Sequence, residues 1–162
     1  MRTPQWIKTL GGHAGVLFVC AELAKRGIPN APLPDSFSDD DVLVGSKDGR
    51  RIGFVQVKAF HPDRSGSFLL KNTEERWCSA KDHEFCVLVR LGATAGNEPP
   101  RYWIATKREV GELCVRHGAH GTTNFERRFF PHDLPQEWES RWSLFDEFRP
   151  TAADTVASGV AA

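Results

Sequence analysis

The chain has 162 residues, a length suited to one domain with a proper hydrophobic core. Its composition is that of a globular protein, with 40% hydrophobic, 26% charged and 10% aromatic residues. Lys plus Arg and Asp plus Glu both number 21, so the formal net charge is zero. This balance argues against a protein that coats nucleic acid through overall charge, but it is compatible with a local basic groove.

The cysteines and the N-terminal segment indicate the cellular compartment in which the protein is expected. The four cysteines are widely spaced, and none forms a Cys-x-x-Cys motif. The N-terminal stretch MRTPQWIKTLGG lacks the apolar core of a signal peptide, and no run approaches the roughly 18 apolar residues of a membrane span. We therefore expect a cytoplasmic protein with reduced thiols and no membrane association.

The first periodic segment, Gly12 to Gly27, predicts an amphipathic helix. Its apolar stripe is predicted to comprise Val16, Leu17, Val19, Cys20, Leu23 and Ala24. Glu22 lies at the edge of this stripe, and His13 projects onto it near the helix start. Gly27 follows the last turn as a C-cap, because glycine adopts the left-handed conformation that ends many helices.

The strongest hairpin signal of the chain follows a proline-rich connector. The apolar run VLV is separated by SKDGR from the strand RIGFVQVKAF, and an Asp-Gly pair is typical of a tight hairpin turn. Strand residues two apart share a face, so Gln56 and Lys58 point the same way. Asp41 directly precedes the first strand and can sit across from them, whereas Asp39 and Asp40 are expected to face water.

The rest of the chain completes a mixed sheet. The run EFCVLVRL predicts a strand buried on both faces, RYWIAT a further strand, and KREVGELCVRHG a short helix. HPDRSGSF reads as a loop, and residues 70–83 fit either a helix or irregular structure. We expect an α/β fold with a mixed central sheet flanked by helices, residues 1–149 forming one domain and 150–162 a disordered tail.

The polar face of the hairpin combines groups suited to hydrolytic chemistry. The carboxylate of Asp41 and the amide oxygen of Gln56 are hard ligands of the kind that Mg²⁺ prefers. The ammonium of Lys58 can orient an attacking water or stabilise charge that develops on a phosphate. These are the requirements of phosphodiester hydrolysis. On its own, however, the alternation of FVQVK is more typical of an edge strand whose polar face is solvated, and the aspartate-led partner strand and the upstream helix are what favour a site.

The stretch DVLVGSKDGRRIGFVQVK resembles the signature of the PD-(D/E)XK nuclease superfamily. That signature has an aspartate at the head of a strand, a hairpin, and Glu/Asp-x-Lys on the next strand, with Gln-x-Lys in a minority of members. The preceding helix, KRG and extended link are similar to small members such as the archaeal Holliday-junction resolvases. The resemblance covers roughly residues 12–60. It implies the restriction-endonuclease-like fold with an αβββαβ core, and DNA cleavage with Mg²⁺ or Mn²⁺.

The resemblance also implies a role for each matching residue. Asp41 would bind the metal, Gln56 would stand in for the second acidic ligand, and Lys58 would be the catalytic lysine. Many relatives complete the site with a Gly-Glu pair in the first helix, but this chain has Gly15-Val16. Glu22 and His13 are therefore candidate accessory residues, with Asp39 and Asp40 as further carboxylates nearby in the sequence.

Several alternatives stay open at this point. We favour an enzyme that acts on DNA, with Arg127 and Arg128 as candidate phosphate contacts. The missing helix acid favours an inactive nuclease-fold module that binds nucleic acid or a partner protein. An α/β domain whose hairpin face binds a small anion is a third reading. Nothing in the sequence decides between a monomer and a homodimer.

Overall fold

The computed structural model describes residues 3–35, 37, 39–117 and 126–157. The helices are α1 (Gln5–Lys25), α2 (Lys107–His117) and α3 (Ala152–Ala157). The strands are β1 (Asn30–Pro32), β2 (Val42–Gly45), β3 (Ile52–Phe60), β4 (Phe68–Lys71), β5 (Glu84–Arg90), β6 (Arg101–Thr106) and β7 (Glu126–Phe129). Short 3-10 helices span Asn72–Ser79, Pro131–Asp133, Gln136–Trp138 and Trp142–Phe148.

Five of these strands form one mixed sheet in the order β1-β2-β3-β5-β6. Only β3 and β5 run parallel, and the other neighbours are antiparallel. Strands β4 and β7 form a separate antiparallel pair. The predicted hairpin and the central position of β5 are confirmed, and so is the predicted fold class of a mixed sheet flanked by helices.

A hydrophobic core covers each face of the sheet. On one face, α1 and the 3-10 helix Trp142–Phe148 pack over Val42, Val55 and Val87. On the other face, α2 and the β4–β7 pair pack over Cys86, Leu88 and Trp103, among other buried residues. Alternation along β3 assigns Val55 and Val57 to the first face and Gln56 and Lys58 to the second. The sheet is therefore buried on both sides, as the apolar run of β5 predicts.

Helix α1 ends as predicted but begins earlier, at Gln5 rather than at Gly12. Gly27 has a φ of +74°, in the left-handed region. Its N–H donates to Ala24 O at 2.9 Å, and the N–H of Ile28 donates to Leu23 O at 3.0 Å. This is the paired arrangement of a Schellman cap, which satisfies carbonyls that the last turn would otherwise leave unbonded.

The buried face of α1 differs from the predicted stripe at Leu17 and at Ala24, both of which are exposed. The fully buried positions are Gly15, Val19 and Leu23, whereas Leu17 is 51% exposed. Leu17 lies two positions after Gly15, about 200° around the helix, so both cannot face the sheet. The prediction failed because it counted only apolar side chains, whereas a glycine, Gly15, lies on the face that packs against the sheet.

Helix α1 is also long and apolar enough, by length and composition alone, to cross a bilayer. It has 21 residues, and only a small share of its most apolar part is buried in the fold. The core helix of a soluble protein and an N-terminal signal sequence meet the same criterion, so this is weak evidence for a membrane span. The expectation of no membrane association stays a prediction.

Gly15 sets how closely α1 approaches β3. A Cβ atom added at Gly15 would lie 2.6 Å from the Cβ of Ala59 and 3.5 Å from Cγ1 of Val57. Real Cβ atoms essentially never approach so closely, so a side chain here would force the helix away from the strand. The helix backbone therefore rests directly on the part of β3 that carries Lys58.

We expect Gly15→Ala to lower the free energy of unfolding by about 1–3 kcal/mol, because overpacking a tight contact costs this much. Gly12→Ala is a matched control in the same helix, since nothing lies within 4 Å of its added methyl group. That control should raise stability by up to about 1 kcal/mol through helix propensity. Urea denaturation of the two variants measures both effects, and equal shifts in their midpoints would contradict the packing argument.

Candidate functional site

The carboxylate of Asp41 joins the two strands of the hairpin where their pairing ends. The last paired residues of β2 and β3 are Val42 and Val55, and Asp41 comes directly before Val42. Its Oδ2 accepts a hydrogen bond from the backbone N–H of Val57 at 2.7 Å and from Nε2 of Gln56 at 2.9 Å. A side chain thus takes the place of a strand carbonyl, and it fixes the Gln56 amide at the same time.

Gln56 and Lys58 lie where the sequence predicts, on one face of β3. In the register with β5 they are level with Cys86 and Leu88 respectively, on the face covered by α2. Gln56 is only 8% exposed, whereas Lys58 is half-buried. The structure therefore brings Asp41, Gln56 and Lys58 together as one cluster.

Burial raises the pKa of Asp41 above the ordinary aspartate value, and the charge of Asp40 adds to this rise. The hydrogen bond from the N–H of Val57, the positive charge of Lys58 and the bond from Gln56 act in the opposite direction. Desolvation outweighs these contacts because a neutral amide and a backbone donor do not replace the full hydration of a carboxylate.

Asp40 does not face water, and this sequence expectation is wrong. Its carboxylate lies 2.6 Å from Nζ of Lys107, and the two side chains are 13% and 5% exposed. Lys107 also lies 3.7 Å from Glu84 and over the ring of Trp77. Asp39, by contrast, is 66% exposed and pairs with Arg76 at the surface. Asp40 therefore anchors the segment before Asp41 to the start of α2.

The structure does not bring the two candidate accessory residues to this cluster. The carboxylate of Glu22 contacts Arg26 and Lys25. Burial raises the pKa of Tyr102 to about 12, and the nearby negative charge of Glu22 adds to this rise. Tyr102 belongs to the core on the opposite face of the sheet from Gln56. His13 is exposed and lies two positions before Gly15, about 200° around the helix from the buried contact.

A cleft of about 430 Å³ adjoins the cluster at Lys58. Its basic lining residues are Lys8, Lys58, His61, Arg64 and Arg128. Of the two arginines predicted to contact phosphates, Arg128 thus lies in the cleft. Arg127 is opposite Leu70 on the β4–β7 pair and is half-buried. No local pattern marks Lys8 or Arg64 as a site residue, because Lys8 precedes the predicted helix and Arg64 lies in a loop, and the two converge only in the fold.

The donor set fits a cation that uses few protein ligands. Asp41 would contribute its carboxylate. Gln56 donates to Asp41 through its amide nitrogen, so its amide oxygen is the atom that would contact a cation. Among the described residues, no group of three His, Cys, Asp or Glu side chains could hold a metal ion. Mg²⁺ commonly binds through one or two carboxylates together with substrate phosphates and water. The cluster suits that mode and does not suit a site built entirely from protein ligands.

The comparisons with known proteins bear on the fold. No protein-family model matches the chain, and no curated protein matches it either. Among solved structures, the fold is similar to that of a bacterial homing endonuclease, I-Ssp6803I, with a TM-score of 0.51. The similarity covers 92% of this chain and 96% of that chain at 15% sequence identity. At this identity the likeness concerns the fold alone, and it agrees with the predicted fold class.

We expect Asp41→Asn to stabilise the metal-free protein at neutral pH. Because the folded-state pKa of Asp41 is raised, wild-type stability falls as pH rises from the unfolded aspartate value, about 3.9, through the folded one. Asn can accept the same two hydrogen bonds without carrying a charge. Urea denaturation in EDTA at several pH values should show a higher free energy of unfolding for the variant than for wild type at pH 7, and similar values for the two at pH 3.

The exposed Asp35 offers a control for this experiment. Asp35→Asn removes one carboxylate that the fold does not bury, so its pH profile should follow that of wild type. An Asp41→Asn variant that is less stable than wild type at pH 7 would show that the contacts of the carboxylate outweigh its burial.

Proposed function

We propose that this chain is a nuclease-fold enzyme that hydrolyses phosphodiester bonds of DNA with a divalent cation, Mg²⁺ or Mn²⁺. The observation that carries the proposal is the cluster of Asp41, Gln56 and Lys58 where β2 and β3 cease to pair. Their types and order match the Gln-x-Lys form of the PD-(D/E)XK signature. The similar fold of a homing endonuclease supports the same reading.

Each residue of the cluster has a distinct task in this proposal. Asp41 and Gln56 would hold the cation, which when bound supplies Lewis-acid polarisation of the scissile phosphate. Lys58 directs its ammonium to the same region, where it orients a water molecule and stabilises negative charge developing on the phosphate. The N–H of Val57 holds the Asp41 carboxylate in place at 2.7 Å, so its orientation is set before substrate arrives.

Lys58→Ala should reduce metal-dependent cleavage by about 10²–10³-fold, the usual cost of losing one electrostatic contact to a transition state. The substrates are plasmid, linear, branched and single-stranded DNA, each with Mg²⁺ or Mn²⁺. Lys47→Ala removes an exposed lysine from the hairpin turn and is the matched control. Cleavage by Lys58→Ala at the wild-type rate would remove Lys58 from the proposed machinery.

A second candidate function is a nuclease-fold module that binds DNA or a partner protein without cleaving. The structure offers one observation in its favour. Asp41, the only acid of the cluster, already accepts hydrogen bonds from Gln56 and Val57. Val16 stands where the signature would place a further acid, and it packs against the core. Such a module should show no stabilisation by added Mg²⁺ or Mn²⁺, because only a site in the folded state raises the melting temperature.

Gln56→Glu tests the cation site itself. In EDTA the variant should melt at a lower temperature than wild type, because a second carboxylate replaces the amide that donates to Asp41. Added Mn²⁺ should then raise its melting temperature by more than that of wild type.

Gln136→Glu introduces the same charge at an exposed position and should show neither effect. If Mn²⁺ stabilises neither Gln56→Glu nor the wild type, these residues hold no cation.

A further inference from the structure

The cleft beside Lys58 lies along a part of β3 that no described strand covers. The pairing of β2 with β3 stops at Val55, while β5 continues along the other edge as far as Phe60. The edge from Lys58 to Phe60 therefore faces the cleft, whose lining includes Lys58, Ala59 and Phe60. Lys58 thus belongs both to the cluster with Asp41 and Gln56 and to the lining of the cleft, so the two adjoin along β3.

The lining concentrates positive charge in a protein whose formal net charge is zero. Lys8 comes from α1, Lys58 from β3, Arg64 from the segment after β3, and Arg128 from β7. No Asp or Glu is among the described lining residues. The neighbouring Asp63 is outside the lining, although its carboxylate lies 3.8 Å from Nδ1 of His61 and interacts with the charge of Arg64 as well as accepting from the N–H of Thr94. Four chain segments therefore converge to make one basic surface.

The remaining lining residues suit a sugar-phosphate chain. Three lining residues bear hydroxyls, but that of Ser65 donates to Ser67 O at 3.1 Å and Ser67 is only 6% exposed. Thr3 is therefore the lining residue whose hydroxyl can donate to a phosphate oxygen. Leu69, which is 41% exposed, supplies apolar surface, whereas Phe68 is 1% exposed and belongs to the core beneath the cleft. A cleft of about 430 Å³ is larger than a single inorganic anion needs.

We propose that this cleft binds the phosphates that flank the scissile bond on the cleaved DNA strand, through Lys8, Arg64 and Arg128. The inference rests on the proposed function, because it takes the ligand to be the strand presented to Asp41 and Lys58. The three residues position the substrate and carry no part of the bond-breaking step. Phosphate contacts of this kind fix the register of a protein on a duplex without reading its sequence.

Binding in the presence of EDTA tests the cleft separately from cleavage. The probe is a fluorescein-labelled DNA duplex of arbitrary sequence, and its fluorescence anisotropy is followed at several salt concentrations. Each phosphate contact contributes about 0.9 to the slope of log K against log salt. The double variant Arg64→Ala/Arg128→Ala should therefore bind more weakly, with a slope smaller by about 2. Lys8→Ala should reduce the slope of log K against log salt by about 1.

The hairpin turn provides a control of equal charge. Lys47→Ala/Arg50→Ala removes two exposed positive charges at the opposite end of β3 from the cleft, and it should leave the slope unchanged. If the two double variants lose DNA affinity and salt slope to the same extent, overall charge and not the cleft binds DNA. Wild-type binding by the Arg64→Ala/Arg128→Ala variant, or a wild-type protein that binds RNA but no DNA duplex, would also overturn the inference.

The two proposals can fail independently. A wild-type protein that binds duplex through the cleft but never cleaves it would overturn the proposed hydrolysis and leave the cleft as the binding surface of a non-catalytic module. A wild-type protein that cleaves DNA, with cleft variants that bind and cleave as it does, would overturn the cleft alone. Melting temperatures of the binding variants at Lys8, Lys47, Arg50, Arg64 and Arg128 should match that of the wild type, because all five side chains are exposed.

Discussion

The hydrogen bond from the N–H of Val57 to the carboxylate of Asp41 determines most of what surrounds the candidate site. It lies where β2 has ended and β3 continues, so a side chain accepts the bond that a strand carbonyl would otherwise accept. The same oxygen accepts from Gln56, which orients an amide that is almost fully buried. Had β2 run further, backbone would cover the edge of β3, and Lys58 would not border an open cleft.

The other constraints act on the same strand from different directions. Gly15 lets the backbone of α1 rest against Val57 and Ala59 on one face, while β5 holds the far edge in parallel register. The salt bridge of Asp40 with Lys107 ties the residue before Asp41 to α2, on the other face. The position of Lys58 is thus fixed by packing, by the strand ladder and by a buried ion pair together.

The sequence predicted the features that depend on local chemistry. The Asp-Gly turn, the alternation along β3 and Gly27 are local signals, and they correctly place Asp41 opposite Gln56 and end α1. Features that depend on distant residues were missed. The β4–β7 pair joins segments far apart in the chain. A buried partner for Asp40 was equally invisible, because a run of three aspartates is typical of a solvated turn.

Helix α1 contributes no acid to the cluster, and this affects the charge of the site as well as the number of its ligands. Val16 packs against the core, Glu22 is engaged by Arg26, and Asp40 is neutralised by Lys107. Asp41 is then the one acid of the cluster, beside Lys58 and the basic cleft. Such a surface attracts phosphate more strongly than it attracts a free divalent cation. Under the proposed function, the DNA phosphates therefore provide part of the negative charge that binds the cation, and the cation binds more tightly when substrate is present than when it is absent.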